Sequence, residues 1–240
     1  MFSTVLFHRM AIRALGIVGF SGLALVLYPI ESRLLRIALL GVIGVFALGT
    51  FWVWREVKLV RAIGIILIGM GMIMALAPGP PFDHGALRES YTRALRKYVG
   101  TRYVWGGEKS SGIDCSGLVR RGLINAKVVT GVKTANARLL REALSLWWND
   151  CTAKEIGDGF QGRTINVTQA PSLQELASAG IHPGDMAVTA GGAHVLAYLG
   201  GDTWVQADPG AGCVIAEEVH HSELAWYKMS VRVVRWKDLQ

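Results

Sequence analysis

Length, composition and charge set the first bounds on this chain. It has 240 residues, enough for one domain of ordinary size plus a smaller unit, with 51% hydrophobic residues and a formal net charge of +7. Residues 1–82 hold seven Lys or Arg and two acids, a net of +5, and residues 83–240 hold the remaining net of +2. Because most of the positive charge flanks apolar segments, it is typical of lipid contacts and topology signals, and we expect no nucleic-acid partner.

Three uncharged apolar runs predict three membrane helices at about residues 14–30, 37–54 and 62–78. Each run is near the roughly 20 residues that an α-helix needs to cross a bilayer. A cleavable signal peptide would have one shorter apolar core, and a buried hairpin of a soluble protein would show a polar face. No ionisable residue lies deep in a run, which argues against a transporter. We therefore interpret residues 1–82 as a membrane anchor.

The positive residues around these runs predict the side of the membrane on which the rest of the chain lies. With three spans, the N-terminus and the second connection share one side, which carries Arg9, Arg13, Arg55, Lys58 and Arg61. The positive-inside rule puts this side in the cytoplasm and residues 83–240 outside it. A two-span arrangement would reverse the answer.

The pattern changes after a Pro-Gly-Pro-Pro stretch at residues 78–81, which predicts a stiff linker. Helical spacing predicts three helices, followed by a loop rich in Gly, Thr and Asp at residues 151–171. Gly-rich turns then separate short β-type runs. The predicted helices are 86–98, one starting near 115, and 135–148; the predicted strands are 186–190, 194–199, 203–207, 213–216 and 231–236. Helices followed by antiparallel strands predict an α+β domain over residues 83–240.

A cysteine, a histidine and two polar residues form the candidate chemistry of this domain. Cys115 falls at the first turn of a predicted helix, where the helix dipole should lower the thiol pKa and backbone N–H groups can receive an oxyanion. His194 opens a strand after a Gly-Gly pair and is the best-placed base. On the next strand, alternation puts Gln206 and Asp208 on one face, where either could orient the imidazole. Singly, such a cysteine and such a histidine are more often structural.

Three sequence motifs, in this order, resemble those of the NlpC-type cell-wall peptidases, which have a papain-like fold. The first pairs Tyr-Val-Trp-Gly-Gly at 103–107 with Asp-Cys-Ser-Gly-Leu-Val at 114–119. The second is Pro-Gly-Asp-Met at 183–186, and the third is His-Val at 194–195 with Tyr-Leu-Gly at 198–200. The resemblance covers about residues 94–208.

The resemblance implies roles for individual residues. Cys115 would be the nucleophile, His194 the general base and Gln206 the third polar residue, with Asp208 as the alternative. The third residue of the family is often a second histidine, so the glutamine is a departure. The remaining candidates are substrate-binding residues of the first motif, of which the first three would contact a substrate amine: Tyr103, Asp114, Ser116 and Trp105.

The resemblance also implies a function and a location. The reaction would be hydrolysis of an amide bond in a peptidoglycan stem peptide, commonly the bond between D-glutamate and the diamino acid, without a metal or cofactor. The catalytic domain would lie on the periplasmic side of a bacterial inner membrane. A segment at about residues 125–180 has no counterpart in the family, which leaves the exact bond open. Two alternatives are a catalytically inactive wall-binding module and a papain-like amidase or acyltransferase that acts on another substrate.

Two remaining side-chain pairs carry open interpretations. Cys151 and Cys213 could form a disulfide in an oxidising compartment or could be two independent thiols, and the sequence favours neither. The pair His220 and His221 beside two glutamates is more typical of a solvated turn than of a metal site.

Overall fold

Three long apolar helices form the N-terminal part of the chain. The computed structural model describes residues 2–177 and 180–240, so residues 178 and 179, near the end of the insert predicted at about residues 125–180, lie outside the described residues. The helices are α1 (Phe2–Leu27), α2 (Arg33–Val53) and α3 (Lys58–Leu76). All three are long and apolar enough to cross a membrane. The predicted trio of helices is therefore confirmed, with different bounds.

The helix bounds differ from the prediction because caps, and not hydropathy, set the ends of a helix. The Ser32 side chain accepts a hydrogen bond from the backbone N–H of Leu35 at 3.3 Å, which starts α2 four residues before the predicted position 37. The first helix ends at Leu27 and not at residue 30, because Pro29 disfavours helical geometry in the residue before it. Apolar runs thus mark the part of each helix that could lie within a bilayer and leave out charged residues in the terminal turns.

The second part of the chain starts with three helices that pack on one another. They are α4 (His84–Arg96), α5 (Cys115–Lys133) and α6 (Ala137–Trp148). Each begins at a side chain that accepts hydrogen bonds from the first turn: Asp83, Asp114 and Asn136. In the middle of α5, Gly122 lets the ring of Tyr91 approach so closely that a Cβ atom at this glycine would lie 2.9 Å from it.

A small hairpin, β1 (Glu108–Lys109) with β2 (Gly112–Ile113), precedes α5. A six-stranded antiparallel sheet follows α5 and α6. Its strands are β3 (Thr164–Ala170), β4 (Met186–Thr189), β5 (Val195–Gly200), β6 (Thr203–Asp208), β7 (Cys213–Glu218) and β8 (Val231–Trp236). Their order in the sheet is β3-β8-β4-β5-β6-β7. Helix α5 packs against β5 and β6 in the centre of the domain, and their apolar side chains share one core. The predicted α+β class is confirmed.

The prediction of a loop over residues 151–171 is wrong. This segment contains a short helix, α7 (Ala153–Gly157), and the edge strand β3. Thr152 and Glu155 form a capping box that starts α7, and β3 pairs with β8 although most of its side chains are polar. An edge strand that is only half buried has little apolar alternation, so its sequence pattern is weak.

The predicted linker is packed against the domain. The carbonyl oxygen of Pro80 accepts a hydrogen bond of 2.8 Å from the Asn136 side chain. The guanidinium group of Arg141 donates to the carbonyl oxygens of Met74 and Ala77, at 2.7 and 2.8 Å, at the end of α3. Helix α6 therefore rests directly on the end of the third apolar helix. The division of the chain at residues 82 and 83 stays a prediction.

Candidate active site

The thiol of Cys115 lies at the start of α5, beside the start of β5. Its residue is buried, with 9% of its surface exposed. The backbone N–H groups of Cys115, Ser116 and Val195 act on the thiol and favour its charged form. The thiol therefore lies beside the residue that follows His194 in the chain.

The resting thiol is not the low-pKa group that its helix position predicts. Burial raises the pKa of Cys115 to about 11, and the carboxylate of Asp114 adds to this rise. The three N–H groups lower the pKa but do not offset the loss of water. Desolvation therefore has a larger effect than these hydrogen bonds, and at neutral pH the cysteine is a thiol.

Two hydrogen bonds to Thr189 fix the backbone of His194. Its N–H donates to the Thr189 hydroxyl at 3.0 Å, and its carbonyl oxygen accepts from the Thr189 N–H at 3.0 Å. The residue lies immediately before β5, not at the first position of the strand. Gly191 and Gly192 just before it have φ values of 78° and 73°, so they form a tight turn that a side chain would strain.

The imidazole of His194 contacts Gln206. Its Nε2 atom lies 2.6 Å from Oε1 of Gln206, and both residues are buried. An amide oxygen only accepts, so Nε2 carries the proton and Nδ1 keeps its lone pair. The other end of the Gln206 amide donates to the Tyr227 hydroxyl at 3.4 Å. Burial lowers the pKa of His194, while the bond to Gln206 and the charge of Asp208 work in the opposite direction. The imidazole is therefore neutral at neutral pH.

Asp208 is bound to other groups. One of its carboxylate oxygens accepts from the indole N–H of Trp226 at 2.8 Å, and the other accepts from the N–H of Ala211 at 2.7 Å. The Trp226 ring stacks on the His194 ring with 4.3 Å between centroids and 21° between planes. The sequence analysis missed Trp226 and Tyr227, which lie in a short turn (Ala225–Lys228) whose sequence carries no motif.

A cavity of about 620 Å³ opens beside the thiol. It is lined by the five residues that sequence motifs single out on this side of the site: Tyr103, Trp105, Asp114, Cys115 and Ser116. Trp105 is 80% exposed at the cavity, and the half-buried Tyr103 has its pKa raised to about 12 by burial and by the nearby Cys115 and Asp114. His194 and Gln206 lie behind this surface, where water has little access.

The carboxylate of Asp114 organises the wall of this cavity. One oxygen accepts from the Gly117 N–H at 2.7 Å and from the Ser116 hydroxyl at 3.0 Å. The other accepts from the Gly106 N–H at 2.8 Å. Asp114 thus ties the Trp-Gly-Gly loop to the first turn of α5.

The other face of the cavity comes from residues that follow α6 and include the start of α7. Residues 150–155 line it, including Cys151 and the first turn of α7. Cys151 and Cys213 are free thiols, so the disulfide considered for this pair is not formed in the structure. Burial raises the pKa of Cys151 far above its usual range.

His220 and His221 each pair with one carboxylate at the surface. The Nδ1 atom of His220 lies 2.8 Å from Asp202, and that of His221 lies 2.8 Å from Glu218. Within residues 2–177 and 180–240, no three histidine, cysteine or carboxylate side chains are grouped as metal ligands would be.

Comparisons with known proteins agree with these motifs. Residues 100–235, more than half of the chain, match the model of the NlpC/P60 family. The fold is similar to NlpC1 from Trichomonas vaginalis, with 16% identity over 65% of this chain and 46% of that one, at a TM-score of 0.42. It is also similar to RipB from Mycobacterium tuberculosis (20% identity, 77% and 88% of the two chains, TM-score 0.39) and to the NlpC/p60 domain of the peptidoglycan hydrolase SagA (23%, 61% and 97%, TM-score 0.35).

The coverage differs among these structures. The chain spans about half the length of the two Trichomonas vaginalis proteins that it matches, 46% of NlpC1 and 48% of NlpC2. No curated protein matches the chain.

Proposed function

Since this chain belongs to the NlpC/P60 family of cysteine peptidases, we propose that it is a membrane-anchored cell-wall hydrolase that cleaves an amide bond in peptidoglycan stem peptides. The observation that carries this proposal is the chain of contacts from the cavity to the buried base: Cys115 beside Val195, and His194 bonded to Gln206 at 2.6 Å. His194 precedes the residue whose N–H contacts the thiol, and its neutral imidazole keeps the Nδ1 lone pair that a general base for attack on an amide needs.

The mechanism starts from a neutral thiol and a neutral imidazole. As the Cys115 sulfur attacks the amide carbon, its proton passes to Nδ1 of His194, and the carbonyl oxygen gains negative charge near the N–H groups at the start of α5. The imidazolium then donates the proton to the leaving amine, which leaves a thioester on Cys115. Water, deprotonated by the same imidazole, hydrolyses the thioester. Gln206 keeps the imidazole in the required tautomer throughout.

The cavity beside the thiol would receive the stem peptide. Asp114 already accepts three hydrogen bonds, but its Oδ2 atom accepts only one of them and keeps room for a substrate ammonium group. Tyr103 and Ser116 lie in the same wall, and Trp105 offers an exposed ring for packing. These groups support a stem-peptide substrate that carries a free amine close to the cleaved bond. The cleaved bond would be, for example, the one between D-glutamate and a diamino acid.

Two observations favour a second candidate, an inactive wall-binding module. The thiol pKa of about 11 and the glutamine at the third position would both suit a site that binds wall peptides without cleaving them.

The test uses the full chain in detergent with purified sacculi that contain either diaminopimelate or lysine. We expect soluble fragments whose masses show new ends between D-glutamate and the diamino acid. Sedimentation of the protein with sacculi that stay intact would instead establish the binding module. The protein could also fail both to cleave the sacculi and to bind them. If it then hydrolysed a simple amide or a simple ester, that result would favour the amidase or acyltransferase alternative.

We also predict the orientation of the chain in the membrane. The connection between α1 and α2 contacts the catalytic domain, for example through a hydrogen bond from Glu31 N–H to the Gly106 carbonyl oxygen at 2.9 Å, which supports their lying on one side of the membrane. Three spans give that arrangement, and the positive-inside rule favours the extracytoplasmic side. A phosphatase that is active only outside the cytoplasm should therefore work when fused after Gln240 and fail when fused after Glu56. The reverse pattern would contradict the orientation, and activity of both fusions would contradict three spans.

A further inference from the structure

The connection between the first two apolar helices forms part of the active-site wall. Ile30 pairs with Gly107 as an antiparallel bridge. On either side of it, the Glu31 N–H donates to the Gly106 carbonyl oxygen at 2.9 Å and the Glu108 N–H donates to the Pro29 carbonyl oxygen at 3.3 Å. The anchor thus pairs with residues 106–108 through backbone hydrogen bonds, as a neighbouring β-strand would. The loop that these three residues form lines the cavity.

The same loop also sets the position of the nucleophile helix. Gly106 donates to the Asp114 carboxylate, and the Asp114 N–H donates to the Gly107 carbonyl oxygen at 3.0 Å. A Cβ atom at Gly117 would lie only 2.3 Å from the Gly107 carbonyl oxygen, so the loop and the first turn of α5 are in close contact. A shift of the loop would therefore move the turn that carries Cys115.

A buried charge cluster joins the anchor to α5 at this place. Arg36 in the first turn of α2 donates to Glu31 at 2.9 Å and to Oε2 of Glu108 at 3.0 Å. Arg120 of α5 donates to the same Oε2 atom at 2.6 Å. The side chains of Arg36, Glu108 and Arg120 are at most 2% exposed. A single carboxylate oxygen thus connects a membrane helix with the helix of the nucleophile.

A simple tether would need none of these contacts. Taking charges out of water is costly and is compensated only when each charge has partners. We propose that Arg36 is a positioning residue of the active site: through Glu108 it holds the 106–108 loop and the start of α5 in the arrangement that makes Cys115 reactive. This inference rests on the proposed function insofar as Cys115 is the nucleophile.

The electrostatics of Glu108 support this role. Burial raises the pKa of Glu108 to about 7, and the surrounding charges act on it from three elements: Arg36 from α2, Arg120 and Arg121 from α5, and Glu31 from the connection. Both Arg36 and Arg120 lower the pKa, so the loss of Arg36 would raise it further. A larger fraction of the carboxyl would then be neutral, which would weaken its ion pair with Arg120.

The test uses the full chain in lipid nanodiscs and measures the alkylation rate of each cysteine by iodoacetamide, read by peptide mass mapping. We expect Arg36→Met to slow alkylation of Cys115 at pH 7.5 by about tenfold, because the N–H groups that favour the thiolate lose their alignment. The rate at Cys213, which does not line the cavity, should change by less than about twofold. The matched control is Arg33→Met, which removes an exposed arginine from the same turn of α2.

Two further variants separate positioning from stability. Arg36→Lys keeps a charge near Glu108 and should recover part of the Cys115 rate, and it carries the test if Arg36→Met does not fold. The rate of Cys115 alkylation should fall toward low pH, and in Arg36→Met this fall should occur at a higher pH than in the wild type. In Glu108→Gln the part of the fall that is due to protonation of the Glu108 carboxyl should be absent. A general loss of structure would not produce that pair of profiles.

The possible outcomes are distinct. An unchanged or faster Cys115 rate in Arg36→Met, or equal changes at all three cysteines, overturns the inference. The measurement needs no wall substrate, so a wild-type chain that releases nothing from sacculi but shows the selective effect at Cys115 would contradict only the proposed function.

Discussion

Replacing Cys115 by alanine in the full chain is expected to lower the release of wall fragments by roughly 10⁴-fold or more. Alanine keeps the small volume of this buried position but leaves no atom to form the thioester. Release of soluble fragments from sacculi, followed by chromatography and mass spectrometry, measures the effect. The serine variant should be nearly as slow, because a hydroxyl with a neutral imidazole is a weaker nucleophile than a thiol.

The control for this prediction is a cysteine that does not line the cavity. Cys213 lies at the start of β7, so Cys213→Ala should keep nearly full activity. Cys151 lies on the far face of the cavity. Equal unfolding temperatures of Cys115→Ala and wild type would show that the loss is chemical. Substantial activity in Cys115→Ala would remove Cys115 as nucleophile and direct attention to Cys151.

The high pKa of the thiol limits how the site can work. A resting thiolate would be available before substrate binds, whereas here the thiol and imidazole are both neutral and buried. In the proposed mechanism, proton transfer accompanies attack, when substrate replaces water in the cavity and the developing charge meets the N–H groups at the start of α5.

Local sequence patterns were sufficient to predict the parts of the site that follow from one element each. Cys115 behind an N-capping aspartate, and the alternation that puts Gln206 on the same strand face as Asp208, are properties of a single helix start and a single strand. For the same reason the α+β class and the family were predictable, and both are confirmed. The catalytic roles of these residues stay predictions.

The parts that sequence reasoning missed depend on contacts between distant segments. Trp226 stacks on His194 from a turn 32 residues further along the chain, and Arg36 reaches Glu108 across 72 residues. Neither residue belongs to a local pattern: Arg36 reads as one more charge that borders a membrane span, and Trp226 as an aromatic residue in a loop. The expected lowering of the Cys115 pKa is not observed because burial, a tertiary property, has a larger effect than the N–H groups at the helix start.

The choice between Gln206 and Asp208 as the third residue leads to the second large expected effect. Gln206→Ala should lower kcat by roughly 10²-fold, because the imidazole loses the acceptor that fixes its proton on Nε2. Asp208→Asn should lower it by less than about tenfold, since an amide oxygen can still accept from Trp226. Steady-state hydrolysis of a muropeptide, with unfolding temperatures for both variants, measures the difference. A larger loss in Asp208→Asn than in Gln206→Ala would reverse the assignment.

The pH profile gives an independent check on Gln206, with a sign that follows from the contacts. The bond from His194 to Gln206 raises the pKa of the imidazole, so its loss in Gln206→Ala should move the acid limb of kcat/KM to lower pH. In Gln206→Glu a carboxylate would stabilise the imidazolium, raise the pKa and move the acid limb to higher pH. Opposite shifts from two substitutions at one position require that this side chain touch the titrating base. An unchanged limb in both variants would mean that the limb belongs to another group, of which Glu108, with its pKa of about 7, is the first candidate.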